Sequence, residues 1–225
     1  MPSPAPPPIS ERRQRAAQLL HAAGVLPVIT VDSLDQARAI ADALLEGGLG
    51  TLELTLRTPV AIDALATLKR ERPDIVIGAG TVRTADDIRA SIDAGADFLV
   101  TPGTPASLAE ALAAAAIPAV PGAATPTEFL ALHALGFRHC KLFPASAVGG
   151  LAMLKGLAGP LHDMRFCPTG GISEANAAEF LSQPNVACIG GSWMLDKAWL
   201  AAGDYARVRD TAARAAEIVR QVRGA

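Results

Sequence analysis

From Val25 onward, short runs rich in Val, Ile and Leu alternate with longer Ala- and Leu-rich amphipathic stretches. A short apolar run between turn signals suits a buried strand, and apolar residues spaced three and four apart suit a helix packed on a sheet. The rhythm repeats eight times and predicts strands near 25–31, 50–55, 75–79, 97–101, 117–121, 138–143, 164–168 and 186–190, each followed by a helix. The junctions support it. Ser33 with Gln36 and Thr125 with Glu128 have the spacing of capping boxes, and Thr58-Pro59, Thr104-Pro105 and Thr125-Pro126 set proline at an expected first helical position. Strand–helix alternation implies a parallel sheet. Eight such units in one domain predict a (β/α)8 TIM barrel, although an open doubly wound sheet shares the same local signals.

Residues 1–9 contain five prolines and predict no regular structure. Ser10 then reads as the N-cap of an extra N-terminal helix running to about Ala23, so residues 10–225 are expected to form a single barrel domain. The chain of 225 residues is 50% hydrophobic with a formal net charge of -2, enough for a sizeable core. Lys and Arg are scattered among Asp and Glu, which gives no footprint for nucleic acid. Cys140, Cys167 and Cys188 are odd in number, lack metal-ligand spacing and sit in apolar runs. Reduced, buried thiols and a cytoplasmic home are therefore expected. Prolines stand where a signal peptide would have its apolar core, and no run approaches the ~20 apolar residues that span a bilayer, so no membrane partner is expected.

Lys141 carries the most information about chemistry. It is the ionisable group in the centre of His139-Cys140-Lys141-Leu142-Phe143-Pro144, otherwise a buried strand. Apolar surroundings disfavour a charged ammonium, and a neutral amine is a nucleophile for carbonyl carbons. The plain alternative is a lysine snorkelling from a strand end to solvent. Barrel chemistry gathers at strand C-termini. The polar residues expected there are Glu53, Thr55 and Arg57, Gly80-Thr81, Thr101-Pro102-Gly103, Lys141, Pro168-Thr169-Gly170-Gly171 and Gly190-Gly191-Ser192. Strand alternation predicts that Glu53 and Arg57 share a side, that Lys141 and Phe143 share a side, and that Cys140 and Leu142 pack outward. A carboxylate beside the lysine is a candidate proton carrier, against the alternative of a purely structural buried pair.

Gly170-Gly171 and Gly190-Gly191-Ser192 are candidates for a phosphate cradle, since glycine permits close backbone approach and successive N–H groups bind anions. Either pair alone suits an ordinary turn. Arg57 is a two-pronged donor suited to a carboxylate, and Thr81 adds a hydroxyl. An amine, an acid/base group, a carboxylate clamp and a separate phosphate cradle imply a phosphorylated 2-keto acid.

These residues resemble the class I 2-dehydro-3-deoxy-6-phosphogluconate (KDPG) aldolases, also active as 4-hydroxy-2-oxoglutarate aldolases. The resemblance runs from about Pro27 to Tyr205 and is carried by 51–58, 78–82, 141–145, 165–172 and 188–193. It implies that Lys141 is the Schiff-base lysine, Glu53 the general acid/base, Arg57 and Thr81 pyruvate-binding residues, and Thr169 a residue of stereochemical choice, with Phe143 and Pro102 also against substrate. It further implies a homotrimer and no cofactor or metal, the covalent lysine adduct serving instead. Ser146 departs from the family, which is associated with an acidic residue there. The related phosphogalactonate aldolases differ at the segments matching Thr55-Leu56-Arg57 and Pro168-Thr169. Two rivals come from other classes. A metal-dependent epimerase would need ligands at strand ends that His21, His133, His139 and His162 do not supply, and a phosphosugar-binding module would leave Lys141 beside Glu53 unexplained.

Overall fold

The computed structural model describes residues 7–224. All eight expected strand regions are extended: β1 (Val25–Ile29), β2 (Thr51–Thr55), β3 (Val76–Gly80), β4 (Phe98–Val100), β5 (Ala119–Val120) with β6 (Gly122–Ala123), β7 (His139–Leu142), β8 (Arg165–Pro168) and β9 (Ile189–Gly191). The fifth differs from expectation because Pro121 interrupts it. Proline has no N–H for the ladder, and the next one, on Gly122, is taken at 2.8 Å by the buried hydroxyl of Thr101. Every strand pairing is parallel, in a six-stranded sheet ordered β5-β4-β3-β2-β1-β9 and a three-stranded sheet ordered β6-β7-β8. Isolated parallel bridges at Phe166↔Val186 and Thr169↔Gly190 connect β8 to the chain entering and within β9. The result is a parallel α/β fold whose sheets curl toward one interior.

The helices are α1 (Ile9–Ala23), α2 (Leu34–Glu46), α3 (Ala61–Glu71), α4 (Ala85–Asp93), α5 (Ala106–Ala114), α6 (Pro126–Ala134), α7 (Gly150–Ala158), α8 (Ala177–Leu181), α9 (Lys197–Ala202) and α10 (Tyr205–Arg223). Thr125 caps α6 in a full capping box with Pro126 in the first turn, as expected. Ser33 accepts from the Gln36 N–H, but the Gln36 side chain returns to the Asp32 N–H, so that box is only half formed. Three expected starts are displaced. α1 begins at Ile9 with Pro8 as its cap, so Ser10 lies inside the helix. α3 and α5 begin at Ala61 and Ala106, after Thr58-Pro59 and Thr104-Pro105. Those threonines serve tertiary structure: Thr58 donates to the Val31 carbonyl at 2.7 Å and Thr104 to the Gly122 carbonyl at 2.8 Å. Most of the expected proline-rich segment, residues 1–6, lies outside the described residues.

Two apolar layers result. The larger core joins strands to helices and includes Cys140, Leu142 and Phe166. An inner cluster, facing the opposite way from the strands, comprises Leu20, Leu26, Phe98, Val100, Val120, Cys167 and Cys188. Leu20 comes from α1, whose Arg12 donates to the carbonyls of Ala113 and Ala115 and whose Arg13 donates to Gly136, just before β5 and β7. α1 therefore covers the interior at the strand N-termini. The opposite, C-terminal end is where the polar residues collect. No helix among the described residues is long and apolar enough to cross a membrane.

Candidate active site

Lys141 and Glu53 meet in the interior although 88 residues separate them. Lys141 Nζ lies 3.0 Å from Glu53 Oε1 and 3.2 Å from Oε2, with the two residues 4% and 1% exposed. Lys141 pairs in register with Cys167 and with Gly122, while Cys140 and Leu142 face the outer core. Alternation along the strand thus turns the lysine inward. Glu53 is held on β2, opposite Val28 and Gly78. β3 makes room for it. A Cβ on Gly80 would stand 2.5 Å from Glu53 Cγ and 2.8 Å from Cδ, and one on Gly78 would run into the Phe98 ring. Gly80 thus clears space beside the carboxylate, whereas Gly78 makes room for the Phe98 ring, a packing role that sequence reasoning missed. Its available signal was glycine inside a strand, which marks close approach.

Phe143 follows β7 with its ring centroid 5.4 Å from Lys141 Nζ, on the side that alternation predicts. Such a ring face stabilises a nearby cation. Arg57 departs from expectation in how it is placed. β2 ends at Thr55, and Arg57 stands exposed in the following turn, where its Nε donates to Thr81 Oγ1 at 3.2 Å. The turn, not strand alternation, positions it. Thr81 has φ 59, the one positive value at a non-glycine residue among those described. L-residues resist this conformation, and such strain concentrates at functional positions. Pro102 follows β4, half-buried, with its backbone carbonyl against Gly122.

Thr169 is buried just past β8, its Oγ1 donating to the Cys167 carbonyl at 3.3 Å. Its side chain also occupies the space a Cβ on Gly190 would need. Each glycine of the expected cradle has a packing or a backbone reason. Gly170 and Gly171 have φ 98 and 78, a Cβ on Gly171 would strike the Ser146 hydroxyl, and one on Gly191 would strike the Trp193 indole. Ser146 N–H donates to the Gly170 carbonyl at 3.0 Å, so the loop after β7 is fastened to the loop after β8. Ser192 is exposed and lines a cleft of about 550 Å³ together with Arg57.

All three cysteines are buried free thiols. Burial pushes the Cys140 thiol up. Cys167 is held below the usual thiol range, first by its hydrogen bond with Cys188 and with help from the Lys141 charge. Among the described residues no group of three or more His, Cys, Asp or Glu is arranged to hold a metal ion.

A parallel α/β fold carrying an interior amine against a carboxylate, with a cation and a glycine-rich rim at the strand C-termini, defines a lyase of the aldolase type. The chain belongs to the KDPG and KHG aldolase family, whose pattern matches residues 16–211. It is 44% identical over 209 residues to a 2-dehydro-3-deoxy-phosphogluconate aldolase of Pseudomonas aeruginosa, covering 93% of this chain and 95% of that protein. It is 42% identical over 202 residues to a KHG/KDPG aldolase of Escherichia coli K12, covering 90% and 95%. A crystal structure of KDPG aldolase from Legionella pneumophila, with pyruvate captured at low pH as a covalent carbinolamine intermediate, is 41% identical and superposes with a TM-score of 0.86, covering 88% of this chain and 96% of that one.

Proposed function

We propose that this chain is a Schiff-base aldolase that cleaves 2-dehydro-3-deoxy-6-phosphogluconate to pyruvate and glyceraldehyde 3-phosphate, with 4-hydroxy-2-oxoglutarate, cleaved to pyruvate and glyoxylate, as a second substrate. The observation that carries this reading is the contact of Lys141 Nζ with both Glu53 oxygens in a nearly solvent-free interior. A lone buried ion pair is poor stabilisation. The contact puts the amine within proton-transfer reach of a carboxylate.

Glu53 takes a proton from Nζ, the freed amine attacks C2 of the keto acid to give a carbinolamine, and Glu53 gives the proton back to the departing hydroxyl as water leaves and the iminium forms. Glu53, once ionised, takes the proton of the C4 hydroxyl. The C3–C4 bond breaks as its electrons flow into the iminium, the aldehyde leaves, and the enamine is protonated at C3. Hydrolysis frees pyruvate and the lysine. The iminium is the electron sink, so the reaction as proposed takes no metal ion and no cofactor. Arg57 and Thr81 hold the carboxylate next to C2, the Phe143 ring favours the cationic iminium, and Thr169 and Pro102 flank the carbons beyond it. The backbone of Gly170, Gly171, Gly190 and Gly191, with Ser192, receives the phosphate.

We further infer that the two sheets form one closed (β/α)8 barrel in a single domain. Support comes from the continuity of β5 and β6 through Pro121 and from the bridges between β8 and β9. The homotrimer implied by resemblance belongs to the same proposal. The test is pyruvate release from the phosphorylated substrate by the wild-type protein, coupled to reduction of pyruvate. Glu53→Gln is expected to lose about 10²-fold or more of turnover, in the range of general acid–base catalysis. A wild-type protein that releases no pyruvate from either substrate would overturn the reading.

A further inference from the structure

The cleft that reaches Arg57 and Ser192 has a wall that the mechanism above does not use. Its lining includes Lys197, Leu200 and Ala201 from α9, three residues at i, i+3 and i+4 that share one helix face. Lys197 is exposed and forms no ion pair among the described residues. The neighbouring carboxylate is engaged elsewhere: Asp196 Oδ1 accepts from the Ala198 and Trp199 N–H groups as the N-cap of α9. Arg57, also in the lining, likewise bonds a hydroxyl rather than a carboxylate. The lining holds one acid, Asp32, against Arg57 and Lys197, which leaves a formal +1 (two positive, one negative) in a protein whose net charge is -2. The volume of about 550 Å³ lies within the range of small-molecule sites, about 300–1,000 Å³. A cleft with two cations and a hydroxyl suits a ligand with two anionic groups.

We propose that Lys197 is a specificity-determining residue whose ammonium pairs with the terminal phosphate of a phosphorylated 2-keto acid held in this cleft, and so sets the preference for phosphorylated over phosphate-free 2-keto acids. The proposal rests on the aldolase reading given above. Arg57 takes the carboxylate, Ser192 takes a phosphate oxygen, and Lys197 adds the second full positive charge of the lining. A phosphate near pH 7 carries roughly twice the charge of a carboxylate, so a lysine at the rim discriminates by charge where neutral N–H groups discriminate by shape.

The test compares kcat/KM for 2-dehydro-3-deoxy-6-phosphogluconate and for 4-hydroxy-2-oxoglutarate in the wild type, Lys197→Met and Lys197→Arg, at low and high sodium chloride. In Lys197→Met the ratio of phosphorylated to phosphate-free kcat/KM is expected to fall about three- to tenfold, through KM rather than kcat, as for a partly exposed charge pair with a dianion. Lys197→Arg keeps the ratio within about twofold. Added salt lowers the wild-type ratio by screening and leaves that of Lys197→Met nearly flat. A ratio unchanged in Lys197→Met, or a loss confined to kcat, would overturn the assignment. Wild-type protein inactive on both substrates would instead overturn the aldolase reading, so the two failures are distinct.

Discussion

Gly80→Ala tests whether the catalytic geometry depends on the missing side chain beside Glu53. The added Cβ would stand 2.5 Å from Glu53 Cγ and 2.8 Å from Cδ. Carbon atoms settle at about 3.5 Å or more, so the side chain must move by about 1 Å. Its oxygens now lie 3.0 and 3.2 Å from Lys141 Nζ, near the outer limit of a good hydrogen bond, and a shift of that size breaks or redirects the contact. Misplacement by about 1 Å costs on the order of 10²-fold in rate, and overpacking costs about 1–3 kcal/mol of stability. Gly78→Ala is the matched control, because its Cβ meets the Phe98 ring instead of the carboxylate. The assay is exchange of the pyruvate methyl protons into deuterated water, followed by NMR, alongside denaturant midpoints. Gly80→Ala should lose about 10²-fold in exchange, while Gly78→Ala loses stability and keeps exchange within several-fold. Wild-type exchange in Gly80→Ala, or equal losses in both, would show that Glu53 does not depend on the space beside Gly80.

Two further outcomes follow from the geometry. Thr81→Gly relieves the positive-φ strain of about 1 kcal/mol and gives back a similar amount in backbone entropy. Stability should hardly change, but Arg57 loses the Thr81 hydroxyl, so the pyruvate concentration for half-maximal borohydride trapping should rise several-fold; an unchanged value would detach Thr81 from carboxylate binding. His139 has its pKa lowered from 6.5 to about 4, chiefly by burial, with Arg165 and Arg13 adding to the effect. A depressed histidine keeps its contribution above the unfolded value of about 6.5 and loses it as pH falls toward 4, at about 1.4 kcal/mol per unit. Between pH 6.5 and 5 that amounts to about 2 kcal/mol. Denaturant midpoints for His139→Leu should fall much less over that window, and an equal slope would contradict the burial argument.

The strand rhythm and the pairing of Lys141 with Glu53 were legible in the sequence for the same reason: ionisable residues inside apolar strand runs have few places to go. Local capping signals were less faithful. The hydroxyls of Thr58 and Thr104 look like helix caps but serve carbonyls of Val31 and Gly122, partners that only the folded register supplies. Pro121 breaks the fifth strand because an orphaned ladder position is tolerable where Thr101 takes the following N–H. The glycine pairs suit anion approach or an ordinary turn in the sequence, and in the fold each glycine also has a neighbour in the way of a Cβ or a backbone angle that glycine favours. Replacing Gly191 by a branched residue would therefore disturb Trp193 before it tested phosphate binding. Arg57 was placed by alternation and stands where it does because of a turn.

In the proposed reaction Lys141 forms the covalent adduct with the keto acid. The other lysines differ in setting: Lys69 is paired with Asp97 at 2.8 Å, and Lys155 and Lys197 are exposed on α7 and α9. Incubation with pyruvate and borohydride, followed by intact mass and peptide mapping, should add one reduced pyruvyl group per chain on Lys141 and none in Lys141→Ala. Labelling at Lys69, Lys155 or Lys197, or turnover surviving in Lys141→Ala, would contradict the account.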